Sequence, residues 1–419
     1  MGAGGRRDFL GRLGGASLLL ATAEGMGLGD VLPEEPSADA PPVGFGVVGC
    51  GPWGREILST LARLRAATTV AVCDTYAPFL KRGLEIAPGA RGVADIRVLL
   101  DMPAVEAVVV ATPTPTHREL AELAFAAGKH LYCEAPIAHT LDDARALARA
   151  AREHGKQLFQ GGVQGRANAL YRHVGRFVES GVLGTPALVT ARWSRKDSWR
   201  RTAPTPEREA ALNWRLSAVT SPGLPGEVGL HHFDLVNDLL KARPIAVVGS
   251  GAVRQWTDGR DVADTVECVF EYPHGLRVGF AATLASSMGG SFTLLQGANS
   301  SLLVREKRAW LIKEADAPLL GWEVYARKEP VLEETGIALI ADSTKILAAG
   351  QEPGKSGAAE PERDALWLAL EAFVSSIRRG QASPCGPVEA FEATALGLLA
   401  NAAVTKGVRV AIPPEALTL

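Results

Sequence analysis

The stretch from Val43 to Asp74 constrains this chain more than any other. A short apolar run, Phe45 to Val48, enters Gly49-Cys50-Gly51-Pro52-Trp53-Gly54. Apolar residues at helical spacing follow (Ile57, Leu58, Leu61, Leu64), and a second apolar run, Val70 to Cys73, stops at Asp74. Strand, tight turn, helix and strand with glycines at this spacing make the dinucleotide fingerprint. Gly49 permits the turn, Gly51 lets the backbone approach a pyrophosphate, and Gly54 lets the helix lie close to the strand. Pro52 and Trp53 open a helix whose free N–H groups and positive dipole end face the phosphates. Asp74, about 25 residues beyond Gly49, is placed to accept hydrogen bonds from the adenosine ribose. A 2′-phosphate would meet its negative charge, so the expected cofactor is NAD, with NADP possible through Lys81 and Arg82.

The alternation continues. Phe79 to Ile86 and Ile96 to Leu100 read as helices, and Ala107 to Ala111 as a strand buried on both faces. The prolines of Thr112-Pro113-Thr114-Pro115-Thr116-His117 delay the next helix until Arg118 to Ala127. His130 to Glu134 is a strand, Leu141 to His154 a helix and Gln157 to Gly161 a strand. This rhythm predicts an α/β Rossmann domain over residues 43–164, a doubly wound parallel sheet with ligand at the strand carboxyl ends. Thr112, Pro113, His117, Glu134 and Gln164 fall at such ends and join the glycine turn as cofactor-binding candidates.

From about Gly165 the grammar changes. After a helix, Arg166 to Glu179, come strand-like runs at Ala187 to Arg195, Ile245 to Arg254, Thr265 to Tyr272, Leu276 to Ala285, Ser291 to Gln296 and Ser301 to Arg305. Turn signals such as Pro273-His274-Gly275 predict an α+β domain over 165–419 with a large open, mainly antiparallel sheet. Its outer face is expected to meet a second copy of the chain, giving a homo-oligomer. Lys313 to Pro361 reads as irregular, whereas Glu362 to Arg379 and Val388 to Thr405 read as long helices able to return to the nucleotide domain.

Composition narrows the classes further. With 419 residues, 47% of them hydrophobic, the chain can fill two domains; a net charge of −2 gives no polyanion-binding signature and no basic run suggests one, so no nucleic-acid partner is expected. Five scattered cysteines have no metal-ligand spacing, and no metal is expected. Residues 1–42 read as an export signal and linker. Arg6-Arg7-Asp8-Phe9-Leu10, the weakly apolar Leu13 to Ala23 and the small residues Ala21-Thr22-Ala23 describe a twin-arginine leader. The expected partner is then the twin-arginine translocation machinery and the expected location the periplasm, with a membrane tether if the leader stays uncleaved.

From about Val43 to the end the chain resembles the Gfo/Idh/MocA family, the glucose–fructose oxidoreductase and inositol dehydrogenase superfamily. The resemblance is carried by GCGPWG, ATPTPTH, YCEAP and EVGLHHFD. It implies two domains, NAD(P) dependence and sugar or cyclitol substrates. It also implies a Glu-Lys-Pro motif with a lysine near the nicotinamide, where this chain has Glu134-Ala135-Pro136. A second family motif, acid-x-Gly-x-His, matches Glu227-Val228-Gly229-Leu230-His231 with glutamate in place of the usual aspartate. On a helix, residues four apart share a face, so Glu227 is expected to orient His231, the expected general base. His232 lies about 100° round the helix and is assigned to substrate binding.

Between these motifs, Arg192, Trp193, Arg195, Trp199, Trp214 and Arg215 suit a carbohydrate, whose C–H faces lie on indole and whose hydroxyls meet donors. Lys196 or Arg195 is expected to replace the charge missing at Ala135, and Lys196 is counted as catalytic. Export adds a demand: an enzyme outside the cytoplasm must keep its NAD tightly bound and regenerate it in each cycle. The expected function is hydride transfer between a sugar or cyclitol and that cofactor. The alternatives are redox-neutral, NAD-dependent glycoside cleavage and a nucleotide-containing binding protein with weak catalysis.

Overall fold

The computed structural model describes residues 41–320, 323, 326, 328–339 and 363–419; the leader reading lies outside them. From Pro41 onward the chain forms one compact unit. Its first half is a six-stranded parallel sheet of β1 (Val43–Val48), β2 (Ala67–Cys73), β3 (Arg91–Val93), β4 (Ala107–Val110), β5 (His130–Cys133) and β6 (Phe159–Gly161), in the order β3-β2-β1-β4-β5-β6. β1 and β4 are buried along their whole length, as unbroken apolar runs in a covered parallel sheet require. The helices between them are α1 (Pro52–Leu61), α2 (Ala77–Ile86), α3 (Ile96–Leu100), α4 (His117–Ala126) and α5 (Leu141–Glu153). Strand order reverses between β1 and β4, and the turns after these two strands flank the crevice.

The second half begins with α6 (Ala169–Glu179). The sequence places the start of this helix at Arg166. Gln164–Ala167 instead forms a 3₁₀ turn, and Asn168 caps α6 by accepting from Leu170 N at 2.9 Å. A ten-stranded sheet follows: β7 (Pro186–Ser194), β8 (Ala246–Ala252), β9 (Thr265–Glu271), β10 (Arg277–Thr283), β11 (Ser291–Gly297), β12 (Ser300–Val304), β13 (Ala309–Lys313), β14 (Lys328–Val331), β15 (Glu334–Leu339) and β16 (Val410–Ala411). Among the described pairings only β7 with β10 is parallel. Along β7, Val189 and Ala191 are buried while Leu188, Thr190 and Arg192 are exposed, so one face is covered and the other open. β13 ends at the point where the sequence turns irregular, and β14 and β15 lie within that stretch. These strands are short, and β14 carries Pro330 at the sheet edge, where a missing N–H is tolerated. Residues 321, 322, 324, 325, 327 and 340–361 of the irregular stretch lie outside the described residues.

Two long helices return to the first sheet, as their patterns predict. α7 (Pro206–Leu212) and α8 (Leu230–Leu240) precede them, and α9 (Ala365–Arg379) lays Phe373 against Phe45 and Tyr132, with ring centroids 6.1 and 5.8 Å apart. α10 (Pro387–Lys406) is apolar on nearly every side and correspondingly buried from Ala390 to Val404. It packs on both α5 and β8 and so ties the two halves together.

Candidate active site

The glycine turn is shaped by backbone. Gly49 has φ 96°, and a Cβ there would lie 2.6 Å from the Ala111 carbonyl oxygen. At Gly54 a Cβ would lie 1.8 Å from the Gly49 carbonyl oxygen, so only glycine lets α1 approach. Above Gly51, by contrast, the nearest atom is a Phe79 carbon at 3.9 Å. No side chain caps the start of α1, and its first turn contains no acid. The Asp74 carboxylate accepts from Cys50 N and Tyr76 N, both at 2.8 Å, fixing the turn to the end of β2. An open groove over free helix N–H groups, beside a fixed carboxylate, fits an adenine dinucleotide.

Thr112 and Pro113 lie beside this turn: the Thr112 N would be 2.9 Å from a Cβ on Gly49. Their loop is self-bonded through Thr112 Oγ1 to Thr116 Oγ1 at 2.7 Å and Thr116 Oγ1 to the Pro113 carbonyl at 2.8 Å. His117 is not available to a cofactor. It is buried, with Nδ1 3.1 Å from the Pro136 carbonyl and Nε2 2.9 Å from the Thr112 carbonyl, and it ties the β4 turn to the β5 turn. Burial pulls it to about 4 against those two carbonyls. Gln164 opens the 3₁₀ turn beyond β6.

A strap from the second half, residues 200–213, lies against the turn after β2. The Arg208 guanidinium lies 4.8 Å from the Tyr76 ring centroid and donates to the Thr75 carbonyl at 3.2 Å. A cleft of about 260 Å³ between Arg55, Tyr76, Phe79 and Arg82 on one side and Arg201 and Leu212 on the other lies beneath it. Asn213 staples the strap, accepting from Arg201 N at 2.7 Å and donating to the Arg201 carbonyl at 2.9 Å. Arg200 and Arg260 both hold Asp258, and Arg260 also donates to the Ser198 carbonyl. Nothing in the sequence marks Arg208 or Tyr76, because neither belongs to a motif and the strap is distant from β2 in the chain.

Two carboxyls define the other end. Glu134 follows β5 and Glu227 stands in a π-turn (Pro225–Gly229) just before α8. Each is 8% exposed, and each has an Oε1 without a hydrogen-bond partner. Burial lifts Glu134 to about 7, against the pull of Trp53, the Ala135 N–H and Arg215; burial also raises Glu227, against Arg215. α10 brings the two loops together. Thr394 Oγ1 accepts from Ile137 N at 3.2 Å, and one turn later Gly397 is where the backbone of Pro225 and Gly226 makes its close approach.

The expected coupling of Glu227 to His231 is corrected here. Glu227 Oε2 instead accepts from Arg215 Nε at 2.6 Å. A buried carboxylate gains more from a guanidinium than from a neutral imidazole, and the i→i+5 winding of the π-turn interrupts the α-helical register assumed from sequence. Among the described residues His231 makes no hydrogen bond, and burial lowers it to about 4, leaving a neutral ring at pH 7. His232 is committed to the second sheet, Nδ1 lying 2.8 Å from Thr293 Oγ1 and Nε2 3.2 Å from Ser291 Oγ, so it is corrected from a substrate ligand to a structural residue.

The indole cluster forms, but not all its cations join it. Trp199, in the left-handed region at φ 58°, packs on Trp193 with centroids 6.2 Å apart; Arg215 lies 5.7 Å from the Trp199 ring and 4.5 Å from that of Trp214. Arg192 is on the opposite face of β7 from Trp193, by the two-residue period of a strand, and is exposed there. Arg195 and Lys196 are exposed beyond the strand end, Lys196 N donating to Ser287 Oγ at 2.8 Å. The cation that acts on Glu134 and Glu227 is Arg215, not Lys196.

Comparison with known proteins gives two family matches: the Gfo/Idh/MocA oxidoreductase family, NAD-binding Rossmann fold, over residues 43–161, and the Gfo/Idh/MocA C-terminal domain over 171–302. The chain is 35% identical over 151 residues to inositol 2-dehydrogenase of Ralstonia nicotianae, covering 35% of this chain and 44% of that protein. It spans about half the length, or less, of the first such relatives it matches. It is 26% identical over 373 residues to D-apiose dehydrogenase of Paraburkholderia graminis, 86% of this chain and 94% of that one. The fold is similar to levoglucosan dehydrogenase in complex with NADH and levoglucosan, with TM-score 0.71 and 16% identity over 89% of this chain and 100% of the other.

Proposed function

Because the chain belongs to the Gfo/Idh/MocA oxidoreductase family, we propose that it transfers hydride between a sugar or cyclitol and a tightly held nicotinamide dinucleotide. What supports this reading most is the glycine cradle, open above Gly51, together with a neutral His231 four residues beyond the buried Glu227. A bound nicotinamide supplies the hydride acceptor. His231 takes the proton of the substrate hydroxyl; with its imidazole lowered to about 4, it is ready as a base at neutral pH. Trp193, Trp199 and Trp214 offer rings to the sugar C–H faces. NAD is favoured over NADP by Asp74, and the strap pinned by Arg208 on Tyr76 supports slow release.

One observation favours a second reading, redox-neutral glycoside cleavage: a buried carboxyl near 7, as at Glu134, is suited to protonating a leaving group. Denaturing the purified protein and assaying for released NAD tests the cofactor. Adding sugars and aryl glycosides to intact protein then separates the readings. Reduced-nicotinamide absorbance without aglycone supports the oxidoreductase; aglycone without net reduction supports the glycosidase; nucleotide inert to every sugar leaves only a binding protein.

Two proposals stand apart from catalysis. Export through the twin-arginine route rests on the leader residues and is tested by fractionating cells with and without that pathway. Self-association rests on the open sheet face, where Leu188, Val248 and Val269 are exposed, and a monomer by light scattering counts against it.

A further inference from the structure

α8 carries His231 in its first turn, and it grows out of the π-turn with no side chain of the described residues capping it. Its rotation is therefore set by what its sides touch. One side packs on the second sheet, Phe233 against Phe270 and Phe280 with ring centroids 4.6 and 5.1 Å apart, and His232 bonds there to Thr293 and Ser291. Asp234 and Asp238, three and seven residues beyond His231, share the opposite side with it. Arg166 holds both acids. It grips the buried Asp234 as a fork, Nη2 donating to Oδ1 at 2.7 Å and Nε to Oδ2 at 2.9 Å, and its Nη1 lies 3.6 Å from Asp238 Oδ1. Arg166 itself stands in the 3₁₀ turn Gln164–Ala167 that follows β6. The chain enters that turn through Gly162, where a Cβ would lie 2.8 Å from both Glu134 Oε2 and Ala135 N. One short segment is thus pressed against the Glu134 turn at one end and grips the His231 side of α8 at the other.

We propose that Arg166 is a positioning residue that, through Asp234, sets where His231 stands relative to the carboxyl end of the nucleotide sheet. A forked ion pair fixes angle as well as distance, which a single hydrogen bond does not. The proposal rests on the dehydrogenase reading, in which His231 is the base. A base displaced by about 1 Å loses rate while the substrate still binds, so the latch acts on kcat. Its net worth to stability is small, because the attraction within the pair is set against the cost of taking both charges out of water. Those two properties separate positioning from scaffolding.

Wild-type holoprotein and the variants Arg166→Lys, Arg166→Met and Arg166→Met/Asp234→Leu are assayed with D-glucose, D-glucuronate, myo-inositol and D-apiose, with nucleotide content and thermal melting measured alongside. Arg166→Met leaves Asp234 buried without its partner and is expected to lower the melting temperature by about 5–10 °C. In the double variant the pair becomes two apolar side chains, and the melting temperature is expected to return to within about 3 °C of wild type. Its kcat is expected to stay low by about tenfold or more, with KM changed less than about threefold and nucleotide retained. Arg166→Lys keeps the charge and loses the fork, and is expected to lose roughly tenfold in kcat. If the wild type turns over none of the sugars, the dehydrogenase reading falls and this proposal with it. If the wild type is active and the double variant recovers both its melting temperature and its kcat, the pair is scaffolding and this proposal alone falls. A loss carried by KM or by emptied nucleotide overturns it too. Should the double variant fail to fold, an unchanged kcat in Arg166→Lys overturns it.

Discussion

Across the crevice, the two walls of this site are made from different materials. Between Gly49 and Gly54 the groove is shaped by main chain: a left-handed turn, a helix packed against a carbonyl, and a carboxylate bonded to two backbone N–H groups. Opposite it, from Trp193 to Glu227, the surface is made of side chains that hold one another: indoles on a guanidinium and a guanidinium on a carboxylate. A backbone-made wall is rigid and tolerates no substitution at its tight points. A side-chain wall can change its chemistry residue by residue.

The sharpest way to break this contrast is at the glycines. Gly54→Ala is expected to empty the protein of nucleotide and to lower stability by about 1–3 kcal/mol in a denaturant titration, because its Cβ has no room. Gly51→Ala, with open space above it, is expected to leave the apoprotein as stable as wild type and still lose nucleotide on gel filtration. Equal stability losses in the two variants would overturn the backbone account.

On the side-chain wall the largest effect is expected at the base. His231→Ala should lower turnover by roughly a hundredfold or more while nucleotide content is unchanged. Full activity would remove His231 from that role.

A third measurement uses acid. His117 and His231 are held at about 4 and His232 at about 3, against 6.5 for a free imidazole, all by burial. Between pH 6.5 and 4 the unfolded chain binds protons that the folded chain refuses, so the stability held above 6.5 declines as the pH falls. Glu134, raised to about 7, and Asp234, raised to about 6, oppose this; the stability they give at low pH declines as the pH rises through those values. The melting temperature is therefore expected to fall from pH 6.5 to 4, and His232→Gln to flatten that fall by roughly 1–3 kcal/mol. An unchanged slope would mean that the ring is not held neutral. The smallest expected effect is at the strap, where Arg208→Ala should speed nucleotide release about threefold to tenfold in a dilution assay, the worth of one cation–π contact and its hydrogen bond.

Reading ahead from the residues worked best where chemistry and chain order coincide. The glycine turn, Asp74 and the strand ends carrying Thr112 and Glu134 lie within one continuous alternation, and periodicity locates them. Reading failed where neighbours in sequence part in space. Arg192 and Trp193 are adjacent in the chain and on opposite faces of β7, and of the neighbours His231 and His232 the second is bonded to the second sheet through Thr293 and Ser291.

The sequence by itself determined the nucleotide half, because a glycine that must be glycine and a strand buried on both faces are local requirements written in consecutive residues. Tertiary structure alone decided which cation serves the carboxyls. Lys196 and Arg215 are equally cationic on paper, and only the docking of the β5 turn and the π-turn on α10, with two indoles gripping one guanidinium, brings Arg215 within reach. Charge acts over distance in space, and a chain does not record distances between residues it separates.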